Sequence, residues 1–403
     1  MELAGKHLVL GLTGGIACYK IAELTRRLIK GGATVQIMMT EAATQFITPV
    51  TMQALSGRPV YVSQWDSRMP NNMPHIDLSR EADVIVIAPA STDFMAKLAH
   101  GMCDNLLSTL CIARDCPLLV VPAMNRQMWQ NPATQRNVTQ LRADGVEVLG
   151  PDSGSQACGE VGDGRMIETA AAFEAICAFF QPKILRGQRV LITAGPTFEP
   201  LDPVRGITNR SSGKMGFALA RAAAQAGADV HLVAGPVALK TPWGVYREDV
   251  QTAQQMHDVV MQVTPDTDIF IAVAAVADWR VDHVSEHKIK KTGDGSLPTF
   301  SFIENPDILA TVAKLANPPY CVGFAAESWD LDVHGEEKRK RKNVPLLIGN
   351  LGPLTFGHDD NEVVLFEASG VTPVPRADKR DLARTLIAEI AKRAPKTGGP
   401  LLS

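Results

Sequence analysis

Two residues in the first half of the chain have side chains that do proton chemistry, and neither has the surroundings of a core position. Cys158 stands in PDSGSQACGEVGDGRM (151–166), a Gly- and Ser-rich stretch with the composition of a mobile flap. His75 stands in MPNNMPHIDLS, among polar neighbours and without apolar periodicity, which predicts a loop near solvent. An imidazole there can accept or release a proton near neutral pH. A lone loop thiol, by contrast, is more often idle than reactive. Other residues suit binding. Gly11-Leu12-Thr13-Gly14-Gly15-Ile16 follows an apolar run and enters a helical pattern, so the free amides of Gly14 and Gly15 can approach a phosphate. The spacing is not GxGxxG, and a tight structural turn accounts for it equally well. Thr40 and Glu41 close the second apolar run, where dinucleotide binders often hold a ribose, so spacing does not separate a mononucleotide from a dinucleotide. Later runs end in APAST (88–92, with Ser91), GMCDNL (101–106) and PAMN (122–125, with Asn125).

The second half carries a different chemistry. Ser211-Ser212-Gly213-Lys214 precedes an amphipathic helix, and donors at a helix N-terminus suit an anion. It is not a Walker A loop: Gly206 and Gly213 are too far apart, and Met215 follows the lysine where Ser or Thr should stand. Ala274-Ala275-Val276-Ala277-Asp278 ends a strongly apolar run, and Lys288-Ile289-Lys290-Lys291 follows after a polar loop. A carboxylate at a strand terminus beside a lysine run is what magnesium and a triphosphate require. A solvated basic loop explains the lysines alone. Further candidates are Asn305-Pro306-Asp307-Ile308, Phe324 in GFAAE, and Lys338 and Lys342 in EKRKRKN.

Such residues need strands to carry them. Apolar runs bounded by turns recur at 7–12, 34–39, 82–89, 117–124 and 146–150, with helical stretches between, the rhythm of a parallel sheet with crossover helices. The polar segment QPKILRGQ (181–188) then precedes a fresh run, RVLITAG, and marks a domain boundary. The rhythm resumes at 228–235, 267–278, 319–327 and 344–350; EVVLFEASGVTPVP (362–375) reads as an antiparallel pair, followed by an amphipathic helix over 378–393 and a frayed tail, APKTGGPLLS.

The length of 403 residues suits two α/β domains, and with 45% hydrophobic and 21% charged residues the chain is ordinary globular material. A net charge of −3 supplies no overall basic field for nucleic acid, so any anion is held by local chemistry. Seven scattered cysteines, an odd number without zinc spacing, fit a reducing cytosol. The N-terminus lacks a cleavage site, and no stretch has the apolar length of a membrane span, so a cytoplasmic protein is expected.

The set LTGGIACYK, PHIDLS, PAMN and SGSQACGEVGDGRM resembles the phosphopantothenoylcysteine decarboxylase domain, a member of the flavin-dependent cysteine decarboxylases, over nearly all of residues 1 to 180. The resemblance implies FMN held by Gly14, Gly15, Thr40, Ser91 and neighbouring loops, and a trimer with its active site between subunits. It also implies a mechanism. Carbon dioxide cannot leave an unactivated cysteine carboxylate, because the carbanion has no sink. Oxidising the thiol to a thioaldehyde places a C=S group beta to the carboxylate, and the departing electrons delocalise as an enethiolate. By this analogy His75 is the acid/base residue of the oxidation, Asn125 fixes the substrate's amide and carboxylate, and Cys158 donates the proton when the reduced flavin returns its hydride.

SSGKMG, AAVAD, KIKK, NPDI and GFAAE, in that order over about residues 188 to 366, resemble the phosphopantothenate–cysteine ligase domain, whose bacterial form uses CTP. The implied reaction activates the carboxylate of 4'-phosphopantothenate as an acyl cytidylate, and cysteine's amine then displaces CMP. Asn209 would hold the acyl group. Ala274, Asp278 and Lys288 would serve the nucleotide, with Asp278 as the magnesium ligand and Lys288 neutralising charge at the α-phosphate. Asn305 to Ile308, Phe324, Lys338 and Lys342 would line the CTP pocket; Arg210 receives no role. The expected architecture is two Rossmann-like domains: an FMN-dependent decarboxylase domain over 1–187 with a parallel sheet, and an α/β ligase domain over 188–403. Ligase dimers would link decarboxylase trimers into a dodecamer. Two other readings start from the flavoprotein half: a flavin-binding regulatory protein, and an ordinary flavin oxidoreductase consuming an external reductant.

Overall fold

A computed structural model describes residues 1–66, 68, 74–290, 297–327, 330–351 and 358–395, and the chain divides into two compact units, Met1–Phe179 and Phe180–Ser403.

The first unit runs β1 (His7–Leu12), α1 (Cys18–Lys30), β2 (Thr34–Met39), α2 (Glu41–Thr44), α3 (Pro49–Ser56), α4 (Pro74–Glu81), β3 (Val84–Ala90), α5 (Thr92–Ala99), α6 (Leu106–Ala113), β4 (Leu118–Pro122), α7 (Arg126–Gln130), α8 (Pro132–Ala143), β5 (Glu147–Val148), β6 (Asp152–Ser155), β7 (Val161–Arg165) and α9 (Thr169–Phe179). Five parallel strands form the sheet β2-β1-β3-β4-β5. Every residue of β3, VIVIAPA, is buried, as a strand covered by helices on both faces must be. In α1 the buried Cys18, Ile21, Leu24 and Leu28 recur at helical spacing and face the core, and basic Arg27 and Lys30 close the last turn. The strand order reverses between β1 and β3, so a crevice opens at their carboxyl ends.

His75 is not in a loop. It lies in the first turn of α4 and is half-buried, with Leu78 and Ser79 buried on the same helix. Proline pre-set for the first helical turn and an acid, Asp77, within that turn are start signals that the polar composition masked. Residues 69–73 of the same segment lie outside the described residues.

The second unit runs β8 (Arg189–Ala194), β9 (Phe198–Pro200), β10 (Gly206–Thr208), α10 (Lys214–Gln225), β11 (Asp229–Ala234), β12 (Val245–Asp249), α11 (Ala253–Val263), β13 (Ile269–Ala272), β14 (Trp279–Val281), β15 (Phe302–Glu304), α12 (Ile308–Ala313), β16 (Tyr320–Glu327), α13 (Leu331–Lys342), β17 (Leu346–Leu351), β18 (Asp360–Glu367), β19 (Gly370–Asp378) and α14 (Lys379–Arg393). The main sheet has the order β12-β11-β8-β13-β16-β17-β18-β19, parallel through β17 and antiparallel at the β18–β19 edge. Alternation along the strands feeds two cores. Val190, Ile192, Ile269, Ile271, Leu346 and Ile348 pack against α10 and α14, whereas Leu191, Phe270 and Leu347 pack against α11 and α12.

The apolar run 267–278 was expected to be one strand reaching Asp278; β13 stops at Ala272, and residues 273–278 form a loop. Two short antiparallel pairs, β9–β10 and β14–β15, form in addition to the main sheet, and β14 lies in the stretch before Lys288 that read as a polar loop. The expected frayed tail lies largely outside the described residues, at 396–403. Among the described residues no helix is long and apolar enough to cross a membrane.

Candidate functional site

The β1/β3 crevice is built from small residues and hydroxyls. Thr13 is buried, donates its hydroxyl to the Pro89 carbonyl at 2.6 Å and accepts from the Ser91 amide at 2.8 Å, which clamps the ends of β1 and β3 together. The next residues, Gly14 and Gly15, have amides with no partner among the described residues. A Cβ on Gly14 would meet the Ala42 methyl at 2.7 Å, and Gly15 faces open space. Those two unpaired amides beside the start of α1 are what an anionic phosphate group requires. Ser91, Thr40 and Asn125 each turn out to be helix N-caps, accepting from the amides of Phe94, Ala43 and Met128 respectively. Their side chains therefore position α5, α2 and α7 at the same sheet edge, and their sequence signal was as much capping as binding.

Cys158 rides at the tip of an antiparallel hairpin, β6–β7. It is exposed, with its Sγ 3.9 Å from Gln156 Oε1 and 3.7 Å from Glu160 Oε2. The hairpin is docked rather than free. Gln156 accepts from the Arg126 amide at 3.0 Å, Gln127 donates to Glu160 at 2.6 Å, and the Met124 amide donates to Gly164 at 2.9 Å. The hairpin that carries Cys158 is thus tied, through Gln156, Glu160 and Gly164, to Met124 of PAMN and to the start of α7. His75 has no hydrogen bond or ion pair to Gly14, Gly15, Ser91, Asn125 or Cys158.

In the second unit the order reversal falls between β8 and β13. Gly195, at φ +77°, ends β8, and its carbonyl accepts from the Ala275 amide at 2.9 Å. Asn209 donates its side-chain amide to the Ala275 carbonyl at 2.9 Å. The Ala274 amide approaches the Thr193 hydroxyl at 3.4 Å, and the Ala277 amide donates to Thr197 Oγ1 at 2.9 Å. Asn305 donates its backbone amide to the Asp278 carbonyl at 2.9 Å and its side chain to the Ala277 carbonyl at 2.8 Å, while Arg280 donates to its Oδ1 at 2.9 Å. Asn209, Ala274, Asp278 and Asn305 therefore share one hydrogen-bonded loop cluster at the switch point. Asp278 is exposed, and Lys288 is exposed on the segment that follows β14. The Ser211 and Ser212 amides, just before α10, have no partner among the described residues.

Asp307 caps α12 by accepting from the Ala310 amide and is ion-paired with Lys342 on α13. Burial works against ionisation of Asp307, but the Lys342 ammonium and the Ala310 amide outweigh it and hold the carboxyl below its ordinary range. Pro306 is half-buried; Ile308 is buried at 5% exposure and its side chain belongs to the core beneath α12, so only its backbone is available to a ligand. Phe324 and Lys338 are half-buried on β16 and α13. Among the described residues no cluster of three His, Cys, Asp or Glu side chains could hold a metal ion, and Lys291 lies outside them. Reading the sequence missed Thr13, Asp202, Arg205 and Arg280; each acts through a partner distant in the chain.

These two switch-point sites define a flavoprotein α/β unit joined to a nucleotide-type α/β unit. Residues 1–181 match the family described as Flavoprotein, and residues 185–394 match the DNA/pantothenate metabolism flavoprotein C-terminal domain. The chain is 51% identical over 390 residues to Coenzyme A biosynthesis bifunctional protein of Vibrio cholerae serotype O1, covering 96% of this chain and 98% of that one. It is 47% identical over 399 residues to the protein of the same name from Escherichia coli K12, covering 98% of each. A crystal structure of the C-terminal domain of such a protein aligns with a TM-score of 0.45 at 35% identity, covering 52% of this chain and 97% of that one. The chain belongs to the family of coenzyme A biosynthesis bifunctional proteins. It is a two-activity enzyme of that pathway, a flavoprotein decarboxylase and a ligase in one polypeptide, and the regulatory and simple oxidoreductase readings fall away.

Proposed function

We propose that residues 188–403 join 4'-phosphopantothenate to cysteine with CTP through an acyl cytidylate, and that residues 1–187 decarboxylate the resulting 4'-phosphopantothenoylcysteine to 4'-phosphopantetheine. One observation supports the reading: each unit presents, at the point where its strand order reverses, backbone amides with no partner among the described residues beside a helix start, at Gly14 and Gly15 in the first unit and, close after Asn209, at Ser211 and Ser212 in the second.

In the first unit the Gly14 and Gly15 amides would receive the phosphate of FMN, which fits because a side chain at Gly14 would collide with Ala42 while Gly15 leaves room. Thr40 and Ser91 hold the surrounding helix starts, and Asn125 presents the substrate's amide and carboxylate. Bound FMN supplies the two-electron sink that makes the substrate thiol a thioaldehyde and later returns the pair. Cys158 gives its proton to the substrate carbon in that return. His75 moves the proton of the oxidation step, in an active site that lies between the subunits of a trimer.

In the second unit Asn209 holds the acyl group, and Lys288 neutralises the α-phosphate as pyrophosphate departs. Ala274, Asp278, Asn305, Pro306, Asp307, Ile308, Phe324, Lys338 and Lys342 form the CTP pocket. Asp278, an exposed carboxylate, would hold magnesium, an ion usually bound through one or two carboxylates together with substrate phosphates. The protein works in the cytoplasm as decarboxylase trimers joined by ligase dimers.

The test is one incubation of the purified enzyme with phosphopantothenate, cysteine, CTP and magnesium, followed by mass analysis. Phosphopantetheine and pyrophosphate should appear together. In Lys288→Ala, pyrophosphate release should fall by about 10²-fold or more while supplied phosphopantothenoylcysteine is still decarboxylated. A colourless protein that cannot be reconstituted with FMN and leaves CTP intact would end the reading.

A further inference from the structure

The turn that joins β9 to β10 touches both halves of the ligase site. Asp202, within it, has a fully buried carboxylate. Its Oδ1 accepts from the amides of Val204 at 2.8 Å and Arg205 at 2.9 Å. Its Oδ2 accepts from Arg205 Nε at 2.9 Å and Nη2 at 2.5 Å, and also from the Ile289 amide at 3.1 Å, more than 80 residues along the chain. Arg205 Nη2 donates in addition to the Ile289 carbonyl at 2.7 Å. The two residues therefore grip both polar groups of Ile289, the immediate neighbour of Lys288. The segment is pinned at its other end too, where the Ser285 amide donates to the Leu201 carbonyl at 3.1 Å. On the far side of the turn, β10 leads to Thr208, whose hydroxyl donates to the Thr197 carbonyl at 2.7 Å, and directly to Asn209.

We propose that Asp202 is a positioning residue of the ligase: by clamping Ile289 together with Arg205, it holds the Lys288 ammonium in register with Asn209, so that the charge is neutralised at the nucleotide's α-phosphate while the substrate carboxylate attacks it. The inference rests on the role given to Lys288 above. Nothing in the clamp requires Asp202 to touch substrate. A carboxylate is used because only an acceptor-only group can take five donors at once, and burying it is tolerable only because Arg205 is there. The Arg205 guanidinium first, then the Val204, Ile289 and Arg205 amides, hold the Asp202 carboxyl far below its ordinary range against the effect of burial.

The test is single-turnover pyrophosphate release by the full-length enzyme in wild type, Asp202→Asn, Lys288→Ala and the double variant, with thermal unfolding of the ligase unit in each variant as the control for folding. Asp202→Asn should lower the rate by about 10²-fold, the cost of misplacing a catalytic group by about 1 Å, with the CTP concentration at half-saturation changed less than about threefold. In the Lys288→Ala background the same substitution should cost less than about threefold, because there is no longer an ammonium to place. Full additivity, or wild-type rates in Asp202→Asn while Lys288→Ala is crippled, overturns the proposal. Undiminished release by Lys288→Ala instead overturns the underlying role of Lys288. Should Asp202→Asn melt the ligase unit, Arg205→Lys, which keeps a cation beside Asp202 but loses the planar fork, carries the same cycle with the same two outcomes.

Discussion

At the scale of single residues, the thiol proposed to donate a proton, Cys158, differs from the chain's buried thiols in its surroundings. Cys18, Cys111 and Cys321 are buried, and burial pushes their thiols up, Cys18 to about 11 and Cys321 to about 12. Cys158 is exposed within reach of two polar side chains. Cys158→Ala should leave CTP-dependent ligation intact and allow carbon dioxide release, but stop at the enethiol; mass analysis should find the product lacking the final two hydrogens. Release of fully reduced phosphopantetheine by that variant would remove Cys158 from the chemistry. The helix-capping bonds of Ser91, Thr40 and Asn125 are a second lesson of this scale. Their short polar side chains were legible as candidates, but a sequence does not tell a cap from a ligand, because both uses require an oxygen close to the backbone.

The elements decide where those residues go. The β6–β7 hairpin docks through Gly164, whose φ of +120° and lack of a side chain let it approach the chain at PAMN; a Cβ there would stand 2.7 Å from the Met124 carbonyl oxygen and 3.0 Å from that of Asn125. Gly164→Ala should lift the hairpin and lower decarboxylation of supplied phosphopantothenoylcysteine by about tenfold or more, with ligation unchanged, as parallel assays of the two half-reactions would reveal. At the other end of the sheet, His7 on β1 is part-buried, and its Nε2 has no partner. Burial, then Arg58, depress its pKa below 6.5, against the smaller pull of Glu81 and Asp83. A depressed histidine contributes stability that is complete above the unfolded value and is lost as pH falls through the folded one. The temperature of flavin release should therefore drop between about pH 7 and pH 5, and His7→Gln should flatten that drop; an unchanged slope would show that His7 does not couple. The hairpins β9–β10 and β14–β15 and the first turn of α4 were not legible, because runs of three residues or one helical turn carry too few positions to set a period.

For the molecule as a whole, the two compact units and the two family matches fall on the same halves of the chain. Chains of residues 1–187 and 188–403 produced separately should each retain one activity, and mixing them should restore conversion of phosphopantothenate to phosphopantetheine; loss of both activities on separation would mean that neither half folds alone. The alternation of buried strands and helices, and the doubled α/β architecture, could be read directly, because burial on both faces writes β3 and β13 as continuous apolar runs. The motifs identified the chemistry for the same local reason: PAMN, SSGKMG and KIKK are each short enough to be seen whole. Tertiary structure alone decided the rest. Which strand ends adjoin follows from sheet order, which the linear pattern does not contain, and so the meeting of Thr13 with Ser91, of Asn209 with Ala275 and of Asp202 with Ile289 appears only once the chain is folded. Those contacts link residues that local propensity leaves independent, because hydrogen bonds across distant segments depend on three-dimensional packing and leave no periodic trace in the sequence.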